Sequence, residues 1–230
     1  MRARAPLLPE RDRARPHVPS GGRFQRDPRD PVDPLPLHTL TGVAGGALFG
    51  GSFDPVHVAH LIVAEAAADA LGSNVRFLPA REQPFKRAAH QATPEQRAEM
   101  LDLAVAGNPR LGVERVELGL PTPSYTVRTL RALGDREPGN RFTLLLGADA
   151  ARDLAAWWEV EALPRLADIV VFARPGASVV RHPLIKRVIP VPMIDLSATQ
   201  VRERVKQGLS IRYLVPDSVR EYIGAHGLYR

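Results

Sequence analysis

Strand-like and helix-like segments alternate along the chain after about residue 42, and this alternation constrains the fold more than any other feature of the sequence. Short apolar runs suited to buried strands occur at 47–49, 75–78, 112–116, 142–146, 169–172 and 188–191. Segments with helical character lie at about 57–71, 94–106, 126–133, 148–154, 199–207 and 217–226. The pattern predicts an α/β fold, a Rossmann-like doubly wound parallel sheet in a single domain. Such sheets bind ligands beyond the carboxyl ends of their strands, where the strand order reverses.

The first 41 residues differ from the rest of the chain in composition. They contain eight arginines, no lysine and five acidic residues, together with eight of the 22 prolines. Because they show no helical or strand period, residues 1–41 are predicted to be a disordered extension and residues 42–230 the folded domain. An arm that tethers RNA or an acidic partner is the functional alternative to a passive tail. The acidic residues argue against a mitochondrial-type transit peptide.

Composition excludes several classes of function. The 230 residues are 44% hydrophobic, which suffices for a substantial core. The chain has no cysteine, so disulfides, thiolate metal sites and cysteine nucleophiles are excluded. No apolar stretch approaches the roughly 18–20 residues of a membrane span, and no apolar signal-peptide core is seen, so a cytoplasmic protein without membrane contact is expected. A net charge of +6 suits polyphosphate substrates but also permits nucleic acid.

The run Gly-Gly-Ser-Phe-Asp-Pro-Val-His-Val-Ala-His, from Gly50 to His60, joins a predicted strand to a predicted helix. Gly50 and Gly51 would let the backbone turn and approach a ligand closely. His57 and His60 are three residues apart, so on a helix they share a face. In a first helical turn they would lie beside amides that attract anions. The run predicts a phosphate site, with a glycine turn capped by Asp54 and two surface histidines as the alternative.

The segment Ser-Ala-Thr-Gln-Val-Arg, from Ser197 to Arg202, is a second candidate phosphate element. Ser197 is a good N-cap, Thr199 lies in the first turn, and Arg202 follows three residues later on the same face. A hydroxyl, free amides and a guanidinium would therefore meet at one helix N-terminus. Taken alone, the pattern is also typical of ordinary helix capping.

The two motifs together resemble the nucleotidyltransferase superfamily with the His-x-Gly-His signature, and within it the bacterial nicotinate-nucleotide adenylyltransferases. That family has Gly-Gly-Ser/Thr-Phe-Asp-Pro-x-His-x-Gly-His after its first strand and Ser-Ser/Ala-Thr-x-x-Arg near its carboxyl terminus. Ala59 stands in place of the glycine between the histidines. The resemblance covers about residues 45–230 and implies catalytic roles for His57, His60 and Arg202. It also implies an ATP site made of Gly50, Gly51, Ser52, Phe53, His57, His60, Asp149, Ser197, Thr199 and Arg202.

Two loop segments resemble the family's binding site for the second substrate. Lys86, in Gln-Pro-Phe-Lys, corresponds to a lysine expected to contact a phosphate, and Phe85 replaces the family's histidine. Thr126, in Ser-Tyr-Thr, corresponds to the region that contacts the pyridine carboxylate. Arg128 stands where the family has an aspartate. The structural alternatives are a solvated loop lysine for Lys86 and a capped helix start for the segment around Thr126.

The adjacent tryptophans are the only two in the chain. The resemblance implies that Trp157 stacks on the nicotinate ring and that the Trp158 backbone N–H reaches the carboxylate. A core role for one of the two rings is the alternative interpretation. Arg97, on the predicted helix at 94–106, is expected to be structural through ion pairing or capping.

The function implied by the resemblance is adenylyl transfer from ATP to nicotinate mononucleotide in NAD biosynthesis, by direct in-line attack. Mg²⁺ would be held mainly by the ATP phosphates rather than by a protein site. Phosphopantetheine, a cytidylyl acceptor and nicotinamide mononucleotide remain alternative substrates, and a homo-oligomer is left open. An RNA-binding protein on a retired transferase scaffold is the alternative from another class, and the intact motifs argue against it.

Overall fold

The computed structural model describes residues 45–84, 90–173, 179, 181–192 and 194–230. They form one sheet with the strand order β3-β2-β1-β4-β5-β6. The strands are β1 (Ala47–Gly51), β2 (Val75–Pro79), β3 (Leu111–Val113), β4 (Phe142–Gly147), β5 (Ala167–Ala173) and β6 (Ile185–Pro190). The α-helices are α1 (Val58–Leu71), α2 (Pro94–Val105), α3 (Thr126–Arg136), α4 (Ala148–Arg152), α5 (Leu163–Leu166), α6 (Ala198–Lys206) and α7 (Asp217–Ala225). The domain boundary predicted at residue 42 lies outside the described residues.

All neighbouring strands are parallel, and the order reverses between β1 and β4. The predicted doubly wound α/β fold is therefore confirmed. Phe49 of β1 pairs with Phe77 of β2 on one side and Leu145 of β4 on the other. The switch point thus lies between the carboxyl ends of β1 and β4, beside the Gly50–His60 run and Asp149.

Buried side chains form one core cluster on each face of the sheet. Phe49 and Leu145 belong to one cluster, whereas Leu48 and Leu144 belong to the other. Neighbouring residues of a strand point to opposite faces, so this division follows from the strand period of two. A parallel sheet covered on both faces explains why its strands read as continuous apolar runs rather than as alternating ones.

Local signals set most of the element boundaries. Thr93 caps α2, accepting a hydrogen bond of 3.2 Å from the N–H of Gln96, and Gly72 ends α1 at φ 59. The third strand is shorter than predicted because the chain enters a 3-10 helix at Val116–Gly119. In the part of the chain described here, no helix is long and apolar enough to cross a membrane.

Candidate active site

The chain leaves β1 through a turn that does not use the paired glycines. Gly50 and Gly51 both lie within the strand and pair with β2, so the predicted glycine turn is wrong. Phe53 takes the left-handed conformation instead, with φ 51. A Cβ on Gly51 would lie 2.7 Å from Cζ of Phe53, whereas Gly50 faces open space. Gly51 is therefore required by the Phe53 ring.

His57 and His60 stack on each other at the start of α1. His57 is the N-cap residue, one position before the helix, rather than part of its first turn. The two rings lie 3.7 Å apart with 19° between their planes, as their three-residue spacing predicted. The His57 backbone N–H donates to Nδ1 of His60 over 3.2 Å. Neutral His60 therefore carries its proton on Nε2, the ring nitrogen left to donate to a ligand.

Burial keeps both imidazoles neutral at physiological pH. It lowers the pKa of His57 from 6.5 to about 4 and lowers the pKa of His60 well below 6.5, with a further decrease from charge on His57. Nδ1 of His57 is buried and has no hydrogen-bond partner among the described residues. Neutral imidazoles can donate an N–H to phosphoryl oxygens without titrating near neutral pH.

The depressed pKa of His57 predicts loss of stability in mild acid. His57 binds a proton near pH 6.5 in the unfolded chain and only near pH 4 in the folded chain. Its contribution to stability is therefore full above pH 6.5 and is lost as the pH falls through this window. We expect His57 to contribute a loss of about 2 kcal/mol between pH 7.5 and pH 5, seen as the difference between the wild type and His57→Asn in urea unfolding at the two pH values. In His57→Asn this acid-dependent loss should shrink; an unchanged pH dependence in that variant would contradict the assignment.

The first amide of α1 already has a partner. The N–H of Val58 donates to the carbonyl of Leu214 over 2.9 Å, and the N–H of His60 donates back to the carbonyl of His57 over 2.9 Å. Fewer amides are therefore available to an anion at this helix start than the sequence suggested. The imidazoles can supply N–H donors in place of these amides. The bond from Val58 also holds the loop that contains Leu214 against the histidine motif.

The two phosphate motifs meet through Arg202. Its Nη1 donates to the backbone carbonyl of Asp54 over 2.7 Å, and its Nη2 donates to Oγ1 of Thr199 over 3.1 Å. Ser197 is the N-cap of α6, as predicted, and its hydroxyl accepts from the N–H of Gln200 over 3.3 Å. The structure thus brings Arg202 and Thr199 to the loop that precedes His57, although 148 positions separate Arg202 from Asp54.

Asp54 does not cap a glycine turn, the structural alternative for this run, because Gly50 and Gly51 lie in β1. Its buried carboxylate accepts from the backbone N–H groups of Gln91 at 2.8 Å and Ala92 at 3.1 Å, and from the hydroxyl of Tyr229 at 2.7 Å. Three hydrogen bonds satisfy the carboxylate inside the protein. The side chain fixes the loop, while the main chain of the same residue holds Arg202.

Arg97 makes neither the ion pair nor the cap expected of it. Its side chain on α2 is fully buried, and its guanidinium donates to the carbonyls of Ser52 at 2.6 Å, Ala80 at 2.7 Å and Arg81 at 3.2 Å. Burial lowers its pKa, and the charge of Asp54 partly offsets that decrease. Arg97 therefore ties together the segments that follow β1 and β2.

Asp149 lies at the carboxyl end of β4, next to β1 in the sheet. Its side chain is 89% exposed and pairs with Arg152 one turn later on α4. An exposed carboxylate with a surface partner is free to exchange that partner for ribose hydroxyls. The location at the switch point agrees with the position expected of a nucleotide contact.

The side chains of Tyr125, Arg128 and Trp158 cluster at the start of α3. The rings of Tyr125 and Trp158 stack at 4.9 Å, and the guanidinium carbon of Arg128 lies 5.0 Å from each ring centre. Trp157 is half-buried against the core cluster that contains Leu48. Thr126 opens α3, and Lys86 falls outside the described residues.

Glu117 is a buried acid that the sequence did not single out. Burial raises its pKa to about 7, although hydrogen bonds from Thr129 and Ser124 oppose the increase. The Thr129 hydroxyl donates to its carboxylate over 2.7 Å. Nothing local distinguishes Glu117 from a surface glutamate, because its burial depends on α3 folding over it. The contact holds the start of α3, where Tyr125 and Thr126 lie.

The fold and this arrangement of motifs place the chain in the class of nucleotidyltransferases. A sequence profile described as cytidylyltransferase-like matches residues 48–204, so the chain belongs to that family. In the part of the chain described here, no group of three or more His, Cys, Asp or Glu side chains is arranged to hold a metal ion.

Similar proteins with assigned names identify a narrower group within this class. One is 44% identical over 194 residues, covering 80% of this chain and 96% of its own, and is named a probable nicotinate-nucleotide adenylyltransferase of Roseiflexus sp.. Another, from Thermus thermophilus, has the same name and is 46% identical over 184 residues, covering 80% of this chain and 98% of its own. Within the family, the chain belongs with the nicotinate-nucleotide adenylyltransferases.

Solved structures support the fold. Plasmodium falciparum nicotinic acid mononucleotide adenylyltransferase, complexed with NaAD, aligns with a TM-score of 0.66 at 19% identity, covering 81% of this chain and 98% of that chain. The same enzyme complexed with APC gives a TM-score of 0.64 at 17% identity. The strand order and the helices on both faces are therefore shared with enzymes of much lower sequence similarity.

Proposed function

We propose that this protein transfers the adenylyl group of ATP to nicotinate mononucleotide, giving deamido-NAD and pyrophosphate. The observation that carries the proposal is the contact between Arg202 and the Asp54 carbonyl, 2.7 Å, which joins the two phosphate motifs in one site. The names of relatives at 44% and 46% identity support the choice of substrates. A chain without cysteine also fits the reducing cytoplasm, where we place the reaction.

The reaction needs no base and no covalent enzyme intermediate. The phosphate of the mononucleotide is already an anionic nucleophile near neutral pH. One of its oxygens forms a new bond to the α-phosphorus of ATP as the bridging oxygen between the α- and β-phosphorus leaves with pyrophosphate. The protein then has to align the two substrates and stabilise the charge that develops on the oxygens.

We assign the α-phosphoryl oxygens to His57 and His60, and the leaving pyrophosphate to Arg202 and Thr199. The neutral N–H on Nε2 of His60 is a donor for the first role, and the His57 ring stacks directly against it. For the second role, the Arg202 guanidinium is held beside the same loop by its bonds to the Asp54 carbonyl and the Thr199 hydroxyl. The remaining proposed ATP contacts are Gly50, Gly51, Ser52, Phe53, Asp149 and Ser197.

Mg²⁺ is proposed to enter the site bound to ATP. Magnesium retains waters and favours phosphate oxygens together with one or two carboxylates, so the triphosphate itself can supply most of its ligands. Bound there, the ion would neutralise charge on the leaving pyrophosphate. The residues of this chain would then orient the substrates around it.

The acceptor is proposed to bind against α3 and the tryptophan pair. Trp157 would stack on the pyridine ring, and the backbone N–H groups near Thr126 and Trp158 would bind its carboxylate. Lys86 would contact the mononucleotide phosphate. The buried bond between Glu117 and Thr129 supports this proposal because it fixes the start of α3.

Arg128 predicts a preference for an acidic pyridine. Its guanidinium lies over the ring of Trp158, whose backbone is the proposed contact of the carboxylate, and a neighbouring cation at a protein surface contributes on the order of 1 kcal/mol to binding an anion. We expect Arg128→Gln to lower the ratio of kcat/KM for nicotinate over nicotinamide mononucleotide by about 5- to 10-fold. Arg131→Gln, one turn further along α3 in an exposed pair with Glu159, should leave the ratio unchanged.

Pyrophosphate release tests the function directly. The purified full chain is incubated with ATP and Mg²⁺ and with nicotinate mononucleotide, nicotinamide mononucleotide or phosphopantetheine. We expect release to be fastest with nicotinate mononucleotide. Release with another acceptor would retain the mechanism and change the substrate, whereas no release with any of the three would refute the proposed activity.

A further inference from the structure

Tyr229, the second residue from the end of the chain, is bonded to the loop that carries the histidine motif. Its side chain is buried, and its hydroxyl donates to Oδ1 of Asp54 over 2.7 Å across 175 positions of sequence. A buried hydrogen bond to a carboxylate is among the stronger kinds in proteins. The two residues are too far apart in sequence for a local pattern to predict this bond.

The end of the chain adopts an unusual backbone conformation to make this bond. After α7 the chain reverses at Gly227, φ 61, and Tyr229 itself lies in the left-handed region, with φ 65. A residue with a large side chain is rarely found there unless its surroundings hold it. Burial of the ring in the main core cluster and the hydroxyl bond to Asp54 are the interactions that hold Tyr229.

Asp54 connects Tyr229 to the groups that would contact phosphate. Its carboxylate accepts the Tyr229 hydroxyl, its carbonyl accepts Nη1 of Arg202, and it lies three residues before His57. Without the tyrosine hydroxyl, Oδ1 of Asp54 retains the N–H of Ala92 at 3.1 Å. The Asp54 side chain would then lose one of its three hydrogen bonds, so the Asp54 carbonyl and the Arg202 guanidinium bonded to it would be held less tightly.

We propose that Tyr229 is a positioning residue, which acts through Asp54 to hold Arg202 and the histidine loop in their catalytic arrangement. The inference rests on the proposed function for its effect on turnover. The bond itself can be tested without turnover. Small displacements in an active site can reduce rate by one to two orders of magnitude, so a single remote hydroxyl can matter.

Tyr229→Phe is the informative variant because it keeps the ring and removes only the hydroxyl. Tyr222→Phe is its matched control, since Tyr222 on α7 also donates to a carboxylate, that of Glu99 on α2. Amide hydrogen exchange of the peptide spanning residues 53–61 should be faster in Tyr229→Phe than in the wild type and unchanged in Tyr222→Phe. This measurement needs no substrate.

Turnover supplies the second readout. We expect Tyr229→Phe to lower kcat about 10-fold, and to lower it much less when Arg202 is already alanine, since the hydroxyl would act through that side chain. A folded Tyr229→Phe protein with wild-type exchange at 53–61 would overturn the proposal, as would effects that simply multiply with Arg202→Ala. If the wild type releases no pyrophosphate, the proposed function fails, and hydrogen exchange still decides whether Tyr229 holds the loop.

Discussion

His60→Ala should reduce turnover about 10²–10³-fold while the protein remains folded, the effect typical of losing one preorganised donor to a transition-state oxyanion. His60 is neutral near pH 7 because burial lowers its pKa, and its Nδ1 is occupied by the His57 backbone N–H. The donor lost is therefore the single N–H on Nε2. Steady-state pyrophosphate release with saturating ATP and nicotinate mononucleotide measures the change in kcat.

Two further variants make the His60 result specific. His60→Gln keeps an N–H donor, on a flexible amide side chain instead of a ring, so it should recover part of the activity lost in the alanine variant. His182→Ala removes a histidine that precedes the edge strand β6, at the amino ends of the strands and so away from the site at their carboxyl ends, and should keep wild-type kcat. Near-normal turnover of a folded His60→Ala protein would remove His60 from the mechanism.

The sequence predicted the architecture well because each element carries its own local signal. Capping residues such as Thr93 and Ser197 mark helix starts, and buried parallel strands appear as apolar runs. The same locality explains the error at the paired glycines. A glycine can mark a turn or a close approach, and here Gly51 is needed for the Phe53 ring, which only the folded structure reveals.

The site was predictable as a set of motifs but not as a network of contacts. Spacing alone indicated that His57 and His60 share a face, and the rings do stack. The bonds of Asp54 with Arg202 and Tyr229 join residues 148 and 175 positions apart. No local pattern encodes such bonds, because they depend on where the sheet and the carboxyl-terminal helices place each segment. Which acids and bases become buried, such as Glu117, is unpredictable for the same reason.

Stability should depend heavily on Arg97, whose buried guanidinium is the common partner of three backbone carbonyls. Arg97→Met reproduces the side chain only as far as Nε, so it keeps the buried stem but leaves the carbonyls of Ser52, Ala80 and Arg81 without that donor. Each hydrogen bond to a charged donor contributes about 1.5–3 kcal/mol, and stranding a buried acceptor adds to the loss. Removing the buried charge also removes its desolvation cost, which offsets part of this loss, so we expect the free energy of unfolding in urea to fall by about 4 kcal/mol.

Comparison with other arginine variants separates this effect from a general loss of charge. Arg131→Met removes an exposed ion pair with Glu159 and should hardly change the unfolding midpoint, because exposed pairs contribute little. Arg97→Lys keeps the charge but cannot reproduce the planar fork that reaches the three carbonyls together, so it should recover only part of the stability. If Arg97→Met were as stable as Arg131→Met, the carbonyls would not depend on the guanidinium. The segments after β1 and β2 would then be held by the sheet alone, and the histidine loop would owe its position to Asp54 rather than to Arg97.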